Sequence, residues 1–241
     1  MKKNQEEIRS AIRKNYAEVA NNTSAGGCCK GGCSCCGAPI DVQDSSKKLG
    51  YTEDDLINIP KDANMGLGCG NPIAIAALKE GETVLDLGCG GGFDCFLASK
   101  RVGDSGSVVG VDMTPDMITL ARKNAEEDGY TNVNFRLGEI EHLPVADDSV
   151  DVIISNCVIN LSLDKAQVFK ETHRVLKPGG RLSISDVVAT ERIPEKIRRD
   201  LQLVACCVGG AEHVDDIRMM LRNAGYDDIR LTPKENSAEI I

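Results

Sequence analysis

The sequence has 241 residues, which is enough for one α/β domain with attached segments and a substantial core. Its net charge is −9 without a basic tract, no apolar stretch approaches the roughly 20 residues that span a bilayer, and the N-terminus resembles a polar helix rather than a signal sequence. We therefore expect a cytoplasmic protein with no nucleic-acid and no membrane partner. Its 11 cysteines indicate metal, metalloid or redox chemistry in a reducing compartment rather than a disulfide scaffold.

The N-terminal quarter predicts an extension rather than part of a sheet. Residues 6–19 have helical spacing, with apolar side chains on one face and charges on the other. Residues 26–37 are rich in cysteine and glycine without apolar periodicity, which predicts a loop, and residues 42–48 are predicted to be a linker. Thr52, with Asp55 three positions later, predicts the cap of a short helix.

From residue 83 onward, segments of strand length alternate with amphipathic segments of helix length. Strands are predicted at residues 83–87, 107–112, 133–137, 149–154, 181–188 and 228–232. Helices are predicted at residues 93–102, 115–128, 164–176, 195–207 and 214–223. Asn71-Pro72 and Thr114-Pro115 predict helix starts, because proline suits the first helical position. The alternation predicts an α/β fold with a mainly parallel, doubly wound sheet that binds ligands at the carboxyl ends of its strands.

The turn after the first predicted strand is the most informative segment. Asp86 ends this strand and is followed by Gly88-Cys89-Gly90-Gly91-Gly92, where glycine permits tight reversal and close approach of a ligand. The unpaired N–H groups of the next helix suit an anionic ligand end. Asp112 ends the second strand at the spacing of a ribose hydroxyl acceptor. Phe93 stands where the dehydrogenase fingerprint needs a small residue, which argues against a nicotinamide cofactor.

This D-x-G-x-G-x-G pattern resembles the first motif of class I methyltransferases, and Leu176-Lys177-Pro178-Gly179-Gly180 before the fifth strand strengthens the likeness. The resemblance implies a Rossmann-like fold and S-adenosyl-L-methionine as cofactor. The implied cofactor site consists of Asp86, Gly88, Gly90 and Gly92 at the methionine part, Asp112 at the ribose hydroxyls, Glu139 and Ile140 near the adenine, and Met113 and Asn156. Alternatively, Glu139 and Glu141 belong to a solvent-exposed acidic turn that has no part in cofactor binding.

Three cysteines lie at positions from which their thiols could meet near the ligand-binding edge of the predicted sheet. Cys69 lies between glycines that bury little around it, so we expect it to be exposed. Cys157 directly follows the fourth strand, and Cys207 precedes a Gly-Gly turn. Such cysteines could converge on a site for a soft atom, whereas free cysteine also packs as a small apolar residue. That second interpretation is preferred for Cys95, on the apolar face of a helix.

The chain as a whole resembles the arsenite methyltransferases. The similar stretches are residues 66–72, 86–95, 111–115, 138–144, 155–161 and 207–211, and Asn-Cys-Val-Ile-Asn-Leu at 156–161 is specific to that family. The resemblance implies methyl transfer from S-adenosylmethionine to cysteine-bound trivalent arsenic, giving mono- and dimethylated arsenicals in arsenic detoxification. It implies that Cys157 and Cys207 hold the arsenic and that Cys69 takes part in redox turnover.

A fourth family cysteine lies upstream of Cys69, and spacing favours Cys36 or its neighbour Cys35; we assign Cys36. The cluster from Cys28 to Cys36 has three interpretations: a thiol relay for arsenite, which we prefer, a zinc or iron–sulfur site, or a storage tail. Thioredoxin or glutathione would reset the thiols. Since the arsenic lone pair needs no general base, the three histidines are expected to be surface residues.

The predicted organisation has three parts: an N-terminal helix, Cys/Gly-rich loop and linker (1–60), an S-adenosylmethionine-binding methyltransferase domain (61–190), and a C-terminal arsenic-binding segment (191–241). The resemblance also implies a further strand beyond Ile241, without which an exposed sheet edge would favour dimerisation. Two alternative functions stay open. One is a methyltransferase acting on a quinone or another small metabolite, and the other is a non-catalytic metal- or metalloid-binding protein.

Overall fold

The computed structural model describes residues 2–21, 42–57, 59–198, 200, 203–204 and 207–234. Its strands are β1 (Thr83–Leu87), β2 (Ser107–Asp112), β3 (Val133–Leu137), β4 (Val150–Asn156) and β5 (Leu176–Ser185). Its α-helices are α1 (Lys2–Asn21), α2 (Val42–Lys48), α3 (Glu53–Ile57), α4 (Pro72–Ala76), α5 (Phe93–Val102), α6 (Pro115–Glu127), α7 (Lys165–Val175), α8 (Glu195–Arg198) and α9 (Val214–Ala224). No helix in this part of the chain is long and apolar enough to cross a bilayer.

The five strands form one sheet in the order β3-β2-β1-β4-β5, and all neighbouring pairs are parallel. The predicted α/β class and parallel sheet are therefore confirmed. The strand order reverses between β1 and β4, and ligands in open α/β sheets bind at such a switch point, beyond the carboxyl ends of the strands. Both the glycine-rich turn and Cys157 follow the strands that border this point.

Two apolar layers cover the sheet, and the alternation along β1 shows how they divide. Val84 points to the layer that contains buried side chains of α5 and α6, whereas Leu85 and Leu87 point to the layer with α7 and α9. All three are fully buried. A third, smaller cluster joins Ile12 of α1 to Leu161, Val204 and Cys207 beyond the carboxyl edge of the sheet. The N-terminal helix therefore packs over the expected ligand-binding edge.

Local capping explains several helix starts that the sequence predicted. Thr52 and Asp55 form a reciprocal capping box, in which the Thr52 N–H donates to Asp55 Oδ2 (2.9 Å) and the Asp55 N–H donates to Thr52 Oγ1 (3.2 Å). The Asn71 side chain accepts from the Ala74 N–H at 2.9 Å, with Pro72 in the first helical turn.

Three predictions outside the sheet core were wrong. Residues 42–48 form helix α2 rather than a linker, because Ser46 is buried there and hydrogen-bonds both the Val42 carbonyl and the Asn64 side chain. The helix predicted to end at 207 is shorter, since Cys207 lies in a turn. Residues 228–232 form no strand, because Ile229 packs its side chain against the α7–α9 layer without any backbone pairing to the sheet.

Candidate active site

The turn after β1 forms one wall of a cavity at the switch point. Gly88, Gly90 and Gly92 have positive φ values of 66°, 51° and 94°, a region that L side chains rarely adopt. A Cβ on Gly88 would come within 2.3 Å of the Val158 side chain. The cavity contains about 1210 Å³ of empty space including its mouth, which suits a ligand of nucleoside size.

The two predicted acidic residues at the ends of β1 and β2 both line this cavity. The Asp112 carboxylate accepts the N–H groups of Gly90 (3.0 Å) and Thr114 (2.8 Å), so it is fixed between the turn and α6. Burial raises the pKa of Asp112 despite these bonds. Asp86 accepts a hydrogen bond from the Cys95 thiol (3.2 Å), and burial together with the nearby Asp94 raises its pKa. The arrangement suits a ligand that brings hydroxyl donors or positive charge.

The loop after β3 and helix α1 close the cavity on its other side. Glu139 forms an ion pair with Arg13, and Glu141 lies 3.7 Å from Arg9. Glu141 is only 6% exposed and accepts a hydrogen bond from Ser162 Oγ at 2.6 Å, so the alternative of a solvated acidic turn was wrong for it. The cavity is lined here by three residues of the predicted cofactor site, Met113, Glu139 and Ile140, and by the neighbouring Glu141. Arg9 and Tyr16 of α1 line it too, although no sequence motif indicates this.

Asn156 at the end of β4 connects the cavity wall to the loop that carries Cys69. Its Oδ1 accepts the Cys69 N–H at 3.0 Å, and its Nδ2 lies 2.9 Å from the Gly70 carbonyl. The same Nδ2 is 3.0 Å from both Asp94 Oδ2 and the Tyr51 hydroxyl, which in turn donates to Asp94 Oδ1 at 2.7 Å. Both Nδ2 protons are thus used within the protein, and only Oδ1 keeps capacity for a ligand.

The glycines beside Cys69 bring its backbone close to β4 and β5. A Cβ on Gly68 would lie 2.7 Å from Asn156 Nδ2, and one on Gly70 would lie 1.8 Å from Ser185 Oγ. Cys69 is therefore half-buried rather than exposed as expected, and its thiol donates to the Ser185 carbonyl at 3.5 Å. The glycines serve close approach and do not leave the thiol open to solvent.

Cys157 lines the cavity, and the buried Cys207 lies directly beside it. The Cys207 thiol donates to the Cys157 carbonyl at 3.0 Å, and hydrogen bonding with the thiols of Cys207 and Cys69, together with burial, raises the pKa of Cys157. Both have positive φ values, 60° and 63°, which cost non-glycine residues energy and concentrate at functional sites. Gly210 lets the Cys207 loop approach the turn at 159–161 after β4, since a Cβ on Gly210 would lie 1.9 Å from the Asn160 carbonyl oxygen.

Asp186 also belongs to this cluster, although the sequence analysis missed it. One carboxylate oxygen of Asp186 and the sulfur atoms of Cys69 and Cys157 all lie within 4.8 Å of one another. Burial raises the pKa of Asp186 to about 6. Its position directly after a strand of the parallel sheet was the signal that could have identified it, as it did for Asp86 and Asp112.

Among the residues that the structure describes, the other cysteines and the histidines are not part of this cluster. Cys89 is buried within the glycine turn and lines the cavity. Cys95 is buried in α5, which agrees with its packing interpretation, and Cys36 lies outside the described residues. His142 and His173 are exposed as predicted, whereas His213 is half-buried and caps α9 by accepting the Asp215 N–H at 3.3 Å.

Comparison with known proteins agrees with this geometry. A family model described as a methyltransferase domain matches residues 78–225, which contain the whole sheet and the glycine turn. The chain belongs to this methyltransferase-domain family. Its strand order and flanking helices are those of the class I, Rossmann-like methyltransferase fold.

Within this family, the chain is similar to proteins named arsenite methyltransferase. The protein of that name from Halobacterium salinarum is 50% identical over 98% of this chain and 61% of its own length. The one from Aquipseudomonas alcaligenes is 47% identical over 68% of this chain and 49% of its own length. The chain therefore spans about half to three fifths of the length of these relatives.

A solved structure is also similar. It is CrArsM, an arsenic(III) S-adenosylmethionine methyltransferase from Chlamydomonas reinhardtii, with 39% identity and a TM-score of 0.62. The match covers 79% of this chain and 64% of that one.

Proposed function

We propose that this methyltransferase domain is an S-adenosylmethionine-dependent arsenite methyltransferase. The observation that carries the proposal is the gathering of three free thiols beside a glycine-walled cavity, with the thiols of Cys69 and Cys207 both next to that of Cys157. Cys157 itself lines that cavity, so a thiol-bound atom would face whatever the cavity holds. The names of the similar proteins supply the substrate that fits such a set of thiols.

The cavity suits S-adenosylmethionine by its donor set and its shape. Gly88 and Gly90 line the cavity without side chains, whereas Gly92 does not line it and a Cβ there would meet the rings of Phe96 and Phe135. Asp112 retains acceptor capacity for ribose hydroxyls beyond its two backbone bonds. Asp86 and Asp94 supply buried carboxyl groups, which suit a ligand carrying ammonium and sulfonium charge. When bound, S-adenosylmethionine supplies an electrophilic methyl group on a sulfonium centre and leaves as a neutral thioether.

The thiols suit trivalent arsenic because soft sulfur ligands select soft centres. Arsenous acid and protonated thiols condense with loss of one water for each As–S bond, so no net proton is released. The raised pKa of Cys157 keeps its thiol protonated and therefore agrees with this route. Cys157 and Cys207 would hold the arsenic, with the arsenic lone pair directed into the cavity.

The protein's part in the transfer is positioning and exclusion of water. Because cysteine-bound arsenic would offer its own lone pair to the sulfonium methyl group, no residue would have to remove a proton, which agrees with the absence of histidine from the described cavity lining. Ile12 of α1 packs on Leu161 and Cys207 and shields this region. The buried, strained backbone at Cys157 and Cys207 would fix both sulfur atoms before the substrate arrives.

Methyl transfer oxidises arsenic from the trivalent to the pentavalent state, and two thiols would return it by forming a disulfide and giving up two electrons. Cys69 is placed for this role beside Cys157, and Cys36 is our proposed partner from the N-terminal cluster. Thioredoxin or glutathione would then reduce the disulfide. Repetition of this cycle would give monomethylated and then dimethylated arsenicals.

The test is a product assay with methyl-labelled S-adenosylmethionine, arsenite and a thiol reductant. We expect label on mono- and dimethylated arsenic with the unmodified chain and none with Cys157→Ser or Cys207→Ser. Each variant should still bind S-adenosylmethionine, which shows that its fold is intact. Cofactor binding by the unmodified chain with no label on arsenic would refute the proposal.

A further inference from the structure

The carboxylate of Asp186 has no part in the arsenic chemistry proposed above, yet it faces the same sulfur atoms. One of its oxygens and the Sγ atoms of Cys69 and Cys157 lie within 4.8 Å of one another, and these three side chains are half-buried. Within the described residues, this is the one group of three or more His, Cys, Asp or Glu side chains close enough to share a cation. An oxygen ligand beside two thiols does not serve arsenic, which prefers sulfur throughout.

Asp186 is held in place like a metal ligand. Its Oδ1 accepts the Asn160 side-chain N–H at 2.8 Å and the Val187 N–H at 2.8 Å, and its Oδ2 lies 3.3 Å from the Asn160 N–H. Outer hydrogen bonds of this kind orient ligating carboxylates in metal sites. Each carboxylate oxygen retains a lone pair for a cation.

We propose that Cys69, Cys157 and Asp186 form a site for divalent zinc. Two thiolates and one carboxylate oxygen, with a fourth position open to water, are an ordinary tetrahedral ligand set for this ion. Zn–S and Zn–O bonds of about 2.3 and 2.1 Å place tetrahedral ligand atoms about 3.6–3.8 Å apart. The three atoms therefore need to close by at most about 1 Å from their present limit of 4.8 Å. Binding displaces two thiol protons into solvent and involves no change of oxidation state.

Zinc and arsenite would use different partners of the same central thiol. Zinc takes Cys157 with Cys69 and the oxygen of Asp186, whereas arsenite takes Cys157 with Cys207, so each excludes the other. This exclusion rests on the proposed function, but zinc binding itself does not. The site would make the methyltransferase sensitive to free zinc.

The test is cysteine alkylation followed by mass spectrometry of each peptide, with zinc sulfate at buffered free concentrations. Because each cysteine is read separately, zinc bound by Cys28–Cys36 does not obscure the result. We expect zinc to slow alkylation of Cys69 and Cys157 at least about tenfold and to leave Cys207 unprotected. Asp186→Asn should raise the zinc concentration for half-protection at least about tenfold, whereas Asp128→Asn, an exposed control at the end of α6, should not change it.

A second variant keeps the test decisive if Asp186→Asn does not fold. Cys207→Ser should retain zinc protection of Cys69 and Cys157 and lose arsenite protection of Cys157. Unchanged alkylation of Cys69 and Cys157 with zinc, wild-type zinc protection in folded Asp186→Asn, or loss of zinc protection in Cys207→Ser would overturn the zinc site. Zinc protection without any arsenite protection of Cys157 and Cys207 in the unmodified chain would support the zinc site and refute the proposed arsenic binding instead.

Discussion

Replacing Asn156 with alanine is expected to release the loop that carries Cys69 from the end of β4. The substitution removes the acceptor of the Cys69 N–H and the donor to the Gly70 carbonyl, each worth about 1 kcal/mol. It also removes a donor to the Asp94 carboxyl group, worth roughly 1.5–3 kcal/mol where the acceptor is charged. Since the three bonds share one side chain, we expect a loss of roughly 3 kcal/mol in the free energy of unfolding.

The assay combines urea unfolding with the alkylation rate of Cys69 in the folded protein. Cys69 should react faster in Asn156→Ala, because its loop loses its attachment to β4. Asn134→Ala is the matched control, since Asn134 is an exposed residue of β3 whose side chain accepts one hydrogen bond, from Arg136. The control should change stability by less than about 0.5 kcal/mol. If Asn156→Ala matched the control in both stability and Cys69 reactivity, the assignment of Asn156 as the anchor of this loop would be refuted.

Three further outcomes are expected. Asp112→Asn should weaken S-adenosylmethionine binding by about tenfold in calorimetry, because an amide replaces one acceptor for the ribose hydroxyls, and Asp128→Asn should bind normally. Burial raises the pKa of Asp94 from 3.8 to about 6, so between these values the native state keeps a proton that the unfolded chain releases. The stability that this bound proton contributes is lost as the pH rises from about 4 through 6. The stability of the wild type relative to Asp94→Asn should therefore be greater at pH 4.5 than at pH 7; an unchanged difference would contradict the raised pKa. Ile12→Ala should lower the free energy of unfolding by about 2–4 kcal/mol, because it leaves a void under α1, and should speed cofactor dissociation in stopped-flow measurements. An unaltered dissociation rate would show that α1 does not cover the ligand-binding cavity.

The sequence was sufficient to predict the structure where a local residue pattern agrees with the burial of the same residues. The glycine turn after β1 and the acidic residues that end β1 and β2 were predictable, because one strand–turn–helix unit determines all of them. The capping box of Thr52 and Asp55 likewise depends on residues three positions apart. Residues 228–232 were wrongly predicted as a strand because a single inward side chain, Ile229, gives an alternating pattern without any pairing partner.

Features that depend on distant contacts could not be predicted in this way. Residues 42–48 form a helix because the buried Ser46 pairs with Asn64, 18 positions later. The placement of α1 depends on packing of Ile12 with residues beyond position 160. Asp186 was overlooked because the predicted strand at 181–188 enclosed it, whereas β5 ends at Ser185 and leaves Asp186 at the carboxyl edge of the sheet beside Cys69 and Cys157.

The most direct test of the arsenic site is X-ray absorption at the arsenic K-edge on the arsenite-loaded protein. It should be done in a chain whose five cysteines between residues 28 and 36 are replaced by serine, so that arsenic cannot bind to that cluster. We predict at least two sulfur atoms in the first coordination shell, with one sulfur replaced by oxygen in Cys157→Ser and likewise in Cys207→Ser. A first shell made of oxygen, or a sulfur shell unchanged by both substitutions, would contradict the account.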